Sequence, residues 1–142
     1  STKRTIQEHE LLHNLVMKQM DHGMDVILVN NAVNIILTLT KHNIITLDRF
    51  NKSHSESRKN IVQCAFYFLL CDLLSKGLIN NEQYVSVSNP DEKLIKMYID
   101  MGFIQGKSQL GNPINLNTTV ENLILILEKQ CKNIGEFSHV ET

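Results

Sequence analysis

The residues of this sequence whose types and spacing could do chemistry are two histidines, three cysteines and a few glycines. His9 and His13 stand four apart, a spacing that sets both imidazoles on one side of a helix and can hold a metal. Glu10 lies beside them, yet no third ligand can be named. They read as solvated helix-face histidines, and no metal site is expected. Cys64 and Cys71 fall seven apart inside an apolar stretch. A reactive thiolate needs a cation, a helix N-terminus or a metal beside it, and none is in view here. Within one straight helix the rise over seven residues is roughly 10 Å, too far for a disulfide. Cys131 reads as a separate structural thiol. An odd cysteine count favours a reducing compartment.

Other chemistry is missing from the pattern. There is no G-x-S-x-G turn, and Gly102, Gly106 and Gly111 fit neither a P-loop nor a dinucleotide fingerprint. Carboxylates occur mainly as helix caps. No catalytic residue is expected, and the chain reads as a non-enzyme. A net charge of −1 leaves no electrostatic footprint for nucleic acid. A turn over Leu78–Tyr84 could open a helix-turn-helix, but the next helix offers only Lys93 and Lys96. Its groove end would carry Asp91 and Glu92. The start Ser1–Thr5 has no apolar run behind it, and Ile61–Leu74 is too short to span a bilayer. A cytoplasmic protein without membrane contact is expected.

The elements that must position these residues read as helices. Thr5 with Glu8 has the form of a capping box, opening a helix marked by Ile6, Leu12, Leu15, Val16 and Met20. Gly23 interrupts it. Asp25 can cap a second helix, with Val26, Val29, Val33, Ile36 and Leu37 on one face up to His42. Thr46–Phe50 reads as a short helix. Ser53 with Glu56 caps a longer one that runs to Lys76, ended by Gly77 and Leu78. Asn89-Pro90-Asp91-Glu92 starts a helix that stops at Gly102, and Thr118 with Glu121 starts the last, through Lys132.

Residues 103–117 read as a long connection or an edge hairpin, and 134–142 as a tail. Tyr84–Val87 and Phe103-Ile104 could supply a minor β element. The expected class is all-α, one domain over 1–142. With 42% hydrophobic residues and two prolines, the chain has the material for a packed core.

Between Ile61 and Leu74, twelve of fourteen residues are apolar. A surface helix is apolar on one stripe only. This one must be covered on all sides, as a core helix, a cavity lining or a dimer face. Asp72 within it needs a partner or an exit to water.

The order of these helices resembles a shortened globin, with its long second helix, short corner at Thr46–Phe50 and long apolar helix at Ser53–Lys76. No histidine lies in the Pro90–Met101 helix to ligate iron, so haem is not expected. The chain resembles the non-haem globin sensor domains of bacilli that inhibit sporulation, relatives of a sensor kinase's input domain. That resemblance covers residues 5 to 133. It implies a globin-like bundle, a fatty acid in an apolar tunnel, a homodimer, and a place in a sensor kinase pathway.

The expected function is therefore a non-enzymatic regulatory sensor domain that binds a small apolar ligand. Val33, Leu37, Phe66, Leu69, Leu70 and Leu73 would line the tunnel, with His42 and Arg58 (and Arg49) meeting an anionic head. No other cofactor is expected. The alternative is a helical protein-interaction module such as a viral host-factor binder, although the chain has no Trp. An enzyme ranks third.

Overall fold

The computed structural model describes residues 6–106, 114–132 and 137–138. It is not an all-α bundle. In chain order its elements are β1 (Ile6–Gln7), α1 (Glu8–Leu11), β2 (Leu15–Met20), β3 (Gly23–Val29), β4 (Val33–Thr40), β5 (Ile44–Lys52) and α2 (Ile61–Ser75). β6 (Tyr84–Ser88), a 3-10 turn (Glu92–Leu94), α3 (Ile95–Asp100), β7 (Ile104–Gln105), β8 (Asn115–Thr119), α4 (Val120–Lys132) and β9 (Phe137–Ser138) follow. Seven strands form one mixed sheet in the order β2-β3-β4-β5-β6-β8-β7, and β1 pairs with β9 in a separate two-stranded one.

The expected second helix, Asp25 to His42, is the β3–β4 hairpin. Its apolar residues fit a period of two better than 3.6: Val26 and Leu28, then Val33, Ile35 and Leu37, are all fully buried. The β-branched run favours strands, and Asn30 makes the turn. Its Oδ1 accepts from the amides of Ala32 and Val33 at 2.8 and 3.0 Å, while its Nδ2 donates to the carbonyls of Leu11 and His13. The expected first helix keeps only Glu8–Leu11, and Leu15–Met20 is an edge strand. Gly23 (φ +140°) lies hard against the Leu39 carbonyl of β4, where a Cβ would collide. Thr46–Phe50, expected as a helical corner, lies within β5.

Helix ends were easier to place than helices. Ser53 is not a cap; α2 starts eight residues later, after Asn60 in the left-handed region at φ 62°. It ends with Gly77 at φ +72°, where the Leu78 amide donates to Leu73 O at 3.0 Å. α3 ends likewise at Gly102 (φ +103°), with the Phe103 amide on Tyr98 O. Asp91 rather than Asn89 caps the turn before α3, accepting from the Lys93 amide at 3.1 Å. Thr119 rather than Thr118 caps α4, accepting from the Asn122 amide. Ile104–Gln105 pairs antiparallel with β8. Thr5, residues 107–113, and the tail except Phe137–Ser138 lie outside the described residues.

α2 is the core helix. Ile61 through Leu70 and Leu73 are buried, covered by β4, β5, α1 and α4. Its single acid reaches the rim, where Asp72 meets Lys76 at 2.7 Å. Among the described residues no helix is long and apolar enough to cross a membrane.

Candidate functional site

β5 and β6 are the one parallel pair among the described strands of the large sheet, and α2 is the crossover between them. They pair over three rungs, Ile44 with Tyr84, Ile45 with Val85 and Thr46 with Ser86. β5 then runs on to Lys52, whereas β6 turns to β8, pairing Val87 with Leu116 and Ser88 with Asn115. Past Thr46 the β6-facing edge of β5 has no strand paired with it among the described residues. Among the described residues, no strand supplies partners for its backbone N–H and C=O groups there.

A bulge sharpens this divergence. Ile36 is opposite Arg49 and Leu37 is opposite Leu47, so Asp48 is an extra residue in β5. Its carboxylate accepts from the Thr38 hydroxyl at 2.6 Å. The resulting crevice of about 270 Å³ is lined by Leu47–Asn51, Val87–Asp91, Leu94 and Tyr98. In open α/β sheets, ligands bind outside the carboxyl ends of strands where the chain direction switches, and this crevice lies at such a point.

Tyr98 stands in the crevice wall at 5% exposure. Its ring packs against Phe50 (6.1 Å between centroids) and edge-on to Phe103 (5.5 Å). Burial raises its pKa above the ordinary phenol value, so at neutral pH it is a proton donor. α2 begins without a side-chain cap, after Asn60, which lines a different concavity from the crevice. The first amides of such a helix are unpaired donors at the positive end of its dipole, a setting that suits anions.

The residues singled out from the sequence are dispersed. Val33, Leu37, Phe66, Leu69, Leu70 and Leu73 are 0% exposed and packed into the core. His42 sits in the β4–β5 turn, and Arg58 follows the other end of β5. The eight-residue rise of that strand separates those ends by roughly 25 Å. Arg58 is held by Glu56 and Glu10, both at 3.0 Å. Its hydrogen bond lowers the Glu56 carboxyl below the usual range.

The run His9-Glu10-Leu11-Leu12-His13 has the order of the helical zinc motif. In the structure the run is not one continuous helix. α1 ends at Leu11, and the cavity beside it (about 390 Å³) holds the Arg58 guanidinium between Glu10 and Glu56. Among the described residues no cluster of three or more His, Cys, Asp or Glu could bind a metal. Cys64 and Cys131 are 0% exposed. Contact with Cys64 raises the Cys131 pKa, and burial raises that of Cys71. None of these is an activated nucleophile.

No protein-family model matches the sequence, and no curated protein matches it either. The structure is similar to that of a CoA-dependent acyl-homoserine lactone synthase, MesI. The TM-score is 0.53 at 13% sequence identity, over 90% of this chain and 83% of that one. Both the similarity and the seven-stranded mixed sheet mark an α/β fold. At this identity the likeness is one of fold.

It nonetheless overturns the resemblance to the globin sensor domains. A sheet-centred chain shares neither their architecture nor the apolar tunnel it would have implied. The non-enzymatic sporulation-sensor reading falls with it, because the fold is like that of a CoA-dependent acyl-homoserine lactone synthase. Of the crevice residues, the sequence singled out Arg49 as an anion partner, and Tyr98 and the rest were missed. Tyr98 could have been noticed as the tyrosine four residues before the helix-ending Gly102-Phe103, but nothing local ties it to Leu47–Asn51.

Proposed function

We propose that this chain binds an acyl thioester of coenzyme A in the β5/β6 crevice and transfers the acyl group to an amine. The observation that carries the reading is the parting of β5 from β6 after Thr46 and Ser86. An extended, amide-bearing thioester arm can pair with the free β5 edge as an added strand would. The crevice walls suit the acyl carbonyl. The similarity to a CoA-dependent acyl-homoserine lactone synthase supports the same class of donor.

The chemistry is one substitution at a carbonyl. The amine nitrogen attacks the thioester carbon, the C–N bond forms, and the C–S bond breaks. Tyr98 donates its hydroxyl proton to the leaving thiolate. Asp48, at the bulge, takes the proton lost by the amine. The products are an amide and free thiol, and both residues are reset by exchange with solvent.

Titration calorimetry with short- and medium-chain acyl-CoAs tests binding, and thiol release with a panel of primary amines tests transfer. Micromolar to low-millimolar binding with amine-dependent thiol release is expected. Absence of acyl-CoA binding at millimolar concentration sinks the reading.

A further inference from the structure

The described helices all lie on one face of the large sheet. α2 packs on β4 and β5, and α4 on β8, over the buried side chains Val26, Leu28, Ile35, Leu37, Ile45 and Val85. α1 lies against α2, and Tyr98 of α3 packs on Phe50, which belongs to that same buried face. Strand register sets the alternate residues on the other face. Eight large apolar side chains are exposed among the described residues, and six of them stand there: Val16 and Met20 of β2, Val29 of β3, Ile44 of β5, Tyr84 of β6 and Ile104 of β7. Apolar residues scattered singly over a surface are ordinary, but six gathered on one face mark a contact surface.

Val16, Met20 and Val29 form one flank of this face, and Ile44, Tyr84 and Ile104 form the other. Between the flanks, the Thr38 hydroxyl of β4 lies 2.6 Å from an Asp48 oxygen and 3.3 Å from one of Asp25. Asp25 also meets His22 at 2.8 Å and stands opposite Lys18 in the β2–β3 pair, and Arg49 follows Asp48. The charges on the face therefore balance, with no cationic surplus of the kind that draws an anionic membrane or nucleic acid. A two-fold axis parallel to the strands lays each apolar flank on the opposite flank of a second copy, and each polar centre on its counterpart. Six strands about 4.8 Å apart and five residues of about 3.3 Å make a face of roughly 30 by 17 Å. Apposed to its copy, with side chains standing out of the pleat, it buries about 1,000–1,500 Å² in total, which reaches the range of stable dimers.

We infer that this open sheet face is the interface of a homodimer, in which two copies pack sheet on sheet about 10 Å apart. Such packing takes both flanks out of water and leaves each helical layer, with its core, on the outside of the pair. The inference does not rest on the thioester reading of the crevice.

The test is sedimentation velocity on the full chain over about 1–200 µM, where a monomer–dimer equilibrium with a dissociation constant below about 50 µM is expected. Val16→Lys and Tyr84→Lys place a charge on each flank at exposed positions, so both variants should fold, which circular dichroism checks. Each should weaken the dimer by at least about tenfold, because the interface would then bury a charge without a partner. Leu125→Lys on α4, as exposed as Tyr84 at 58%, should leave the dimer unchanged. A parent chain that stays monomeric at about 200 µM overturns the inference. So does a dimer that Leu125→Lys weakens as much, or that neither flank variant weakens. Weakening by one flank variant alone overturns the face-to-face arrangement, and by Val16→Lys alone it means pairing between β2 edges instead. A monomer that co-sediments with phosphatidylcholine vesicles assigns the face to lipid and overturns the dimer.

Discussion

Thr46 and Ser86 form the last parallel rung between β5 and β6, and the crevice begins where their pairing ends. Phe50, four residues further along β5, joins the two layers behind it. Its ring lies edge-on to Phe66 of α2 at 5.1 Å and tilted to Tyr98 of α3 at 6.1 Å. The wall that carries the proton donor is thus braced directly by the core.

Tyr98→Phe keeps the ring packing and removes the hydroxyl. General acid catalysis contributes about 10²–10⁴-fold, so the turnover number for acyl transfer should fall by about a hundredfold or more. Thioester affinity should stay within about threefold. Steady-state thiol release with parallel calorimetry checks both, and an unchanged turnover number removes Tyr98 from the reaction.

Phe66→Ala separates a packed core from the tunnel expected of the sequence. Truncating a fully buried phenylalanine costs about 3–5 kcal/mol, whereas an open tunnel lining would lose far less. Urea unfolding should show a large drop in midpoint. Because Phe66 supports Phe50, thioester binding should weaken as well.

Gly23→Ala would force a Cβ into the Leu39 carbonyl from a backbone angle that side chains rarely adopt. The β3–β4 pairing must shift to admit it. A loss of at least about 2 kcal/mol is expected, seen as a lower unfolding midpoint. Gly77→Ala, whose Cβ meets nothing within 4 Å, pays only for its left-handed backbone and should lose about 1–2 kcal/mol.

The ion pairs around Arg58 predict an acid limb. Arg58 holds the folded-state pKa of Glu56 below its ordinary value. The stability it adds is full above the unfolded carboxylate pKa of about 4.3. It is lost as pH falls through the lower folded value. Between about pH 5 and 3, the unfolding midpoint of the parent chain should drop more steeply than that of Glu56→Gln. Parallel curves would show that the contact adds no stability.

Local chemistry was legible where it depends on a few adjacent residues. The glycine stops at Gly77 and Gly102 were read correctly, because a left-handed residue followed by an apolar contact closes a helix without help from elsewhere. The caps near Asp91 and Thr119 were found to within two residues. The apolar run Ile61–Leu74 is a buried helix, covered on all sides as its composition requires. What failed was the choice of period. Val26, Val29, Val33, Ile36 and Leu37 can be counted at helical spacing, yet Val26, Leu28, Val33, Ile35 and Leu37 alternate just as well. Only pairing with β2 and β5 decides between them.

By itself, then, the sequence determined where α2 and α3 end, that α2 must be enclosed, and that the cysteines sit among apolar neighbours. It did not determine the sheet or the site. The crevice exists because β6 leaves β5 for β8, a partner about thirty residues further along the chain. Likewise Gln63 of α2, Lys93 of the 3-10 turn before α3 and Gln130 of α4 line one concavity that only the packed core brings together. Strand pairing and helix docking are non-local contacts, and no spacing within one segment encodes them.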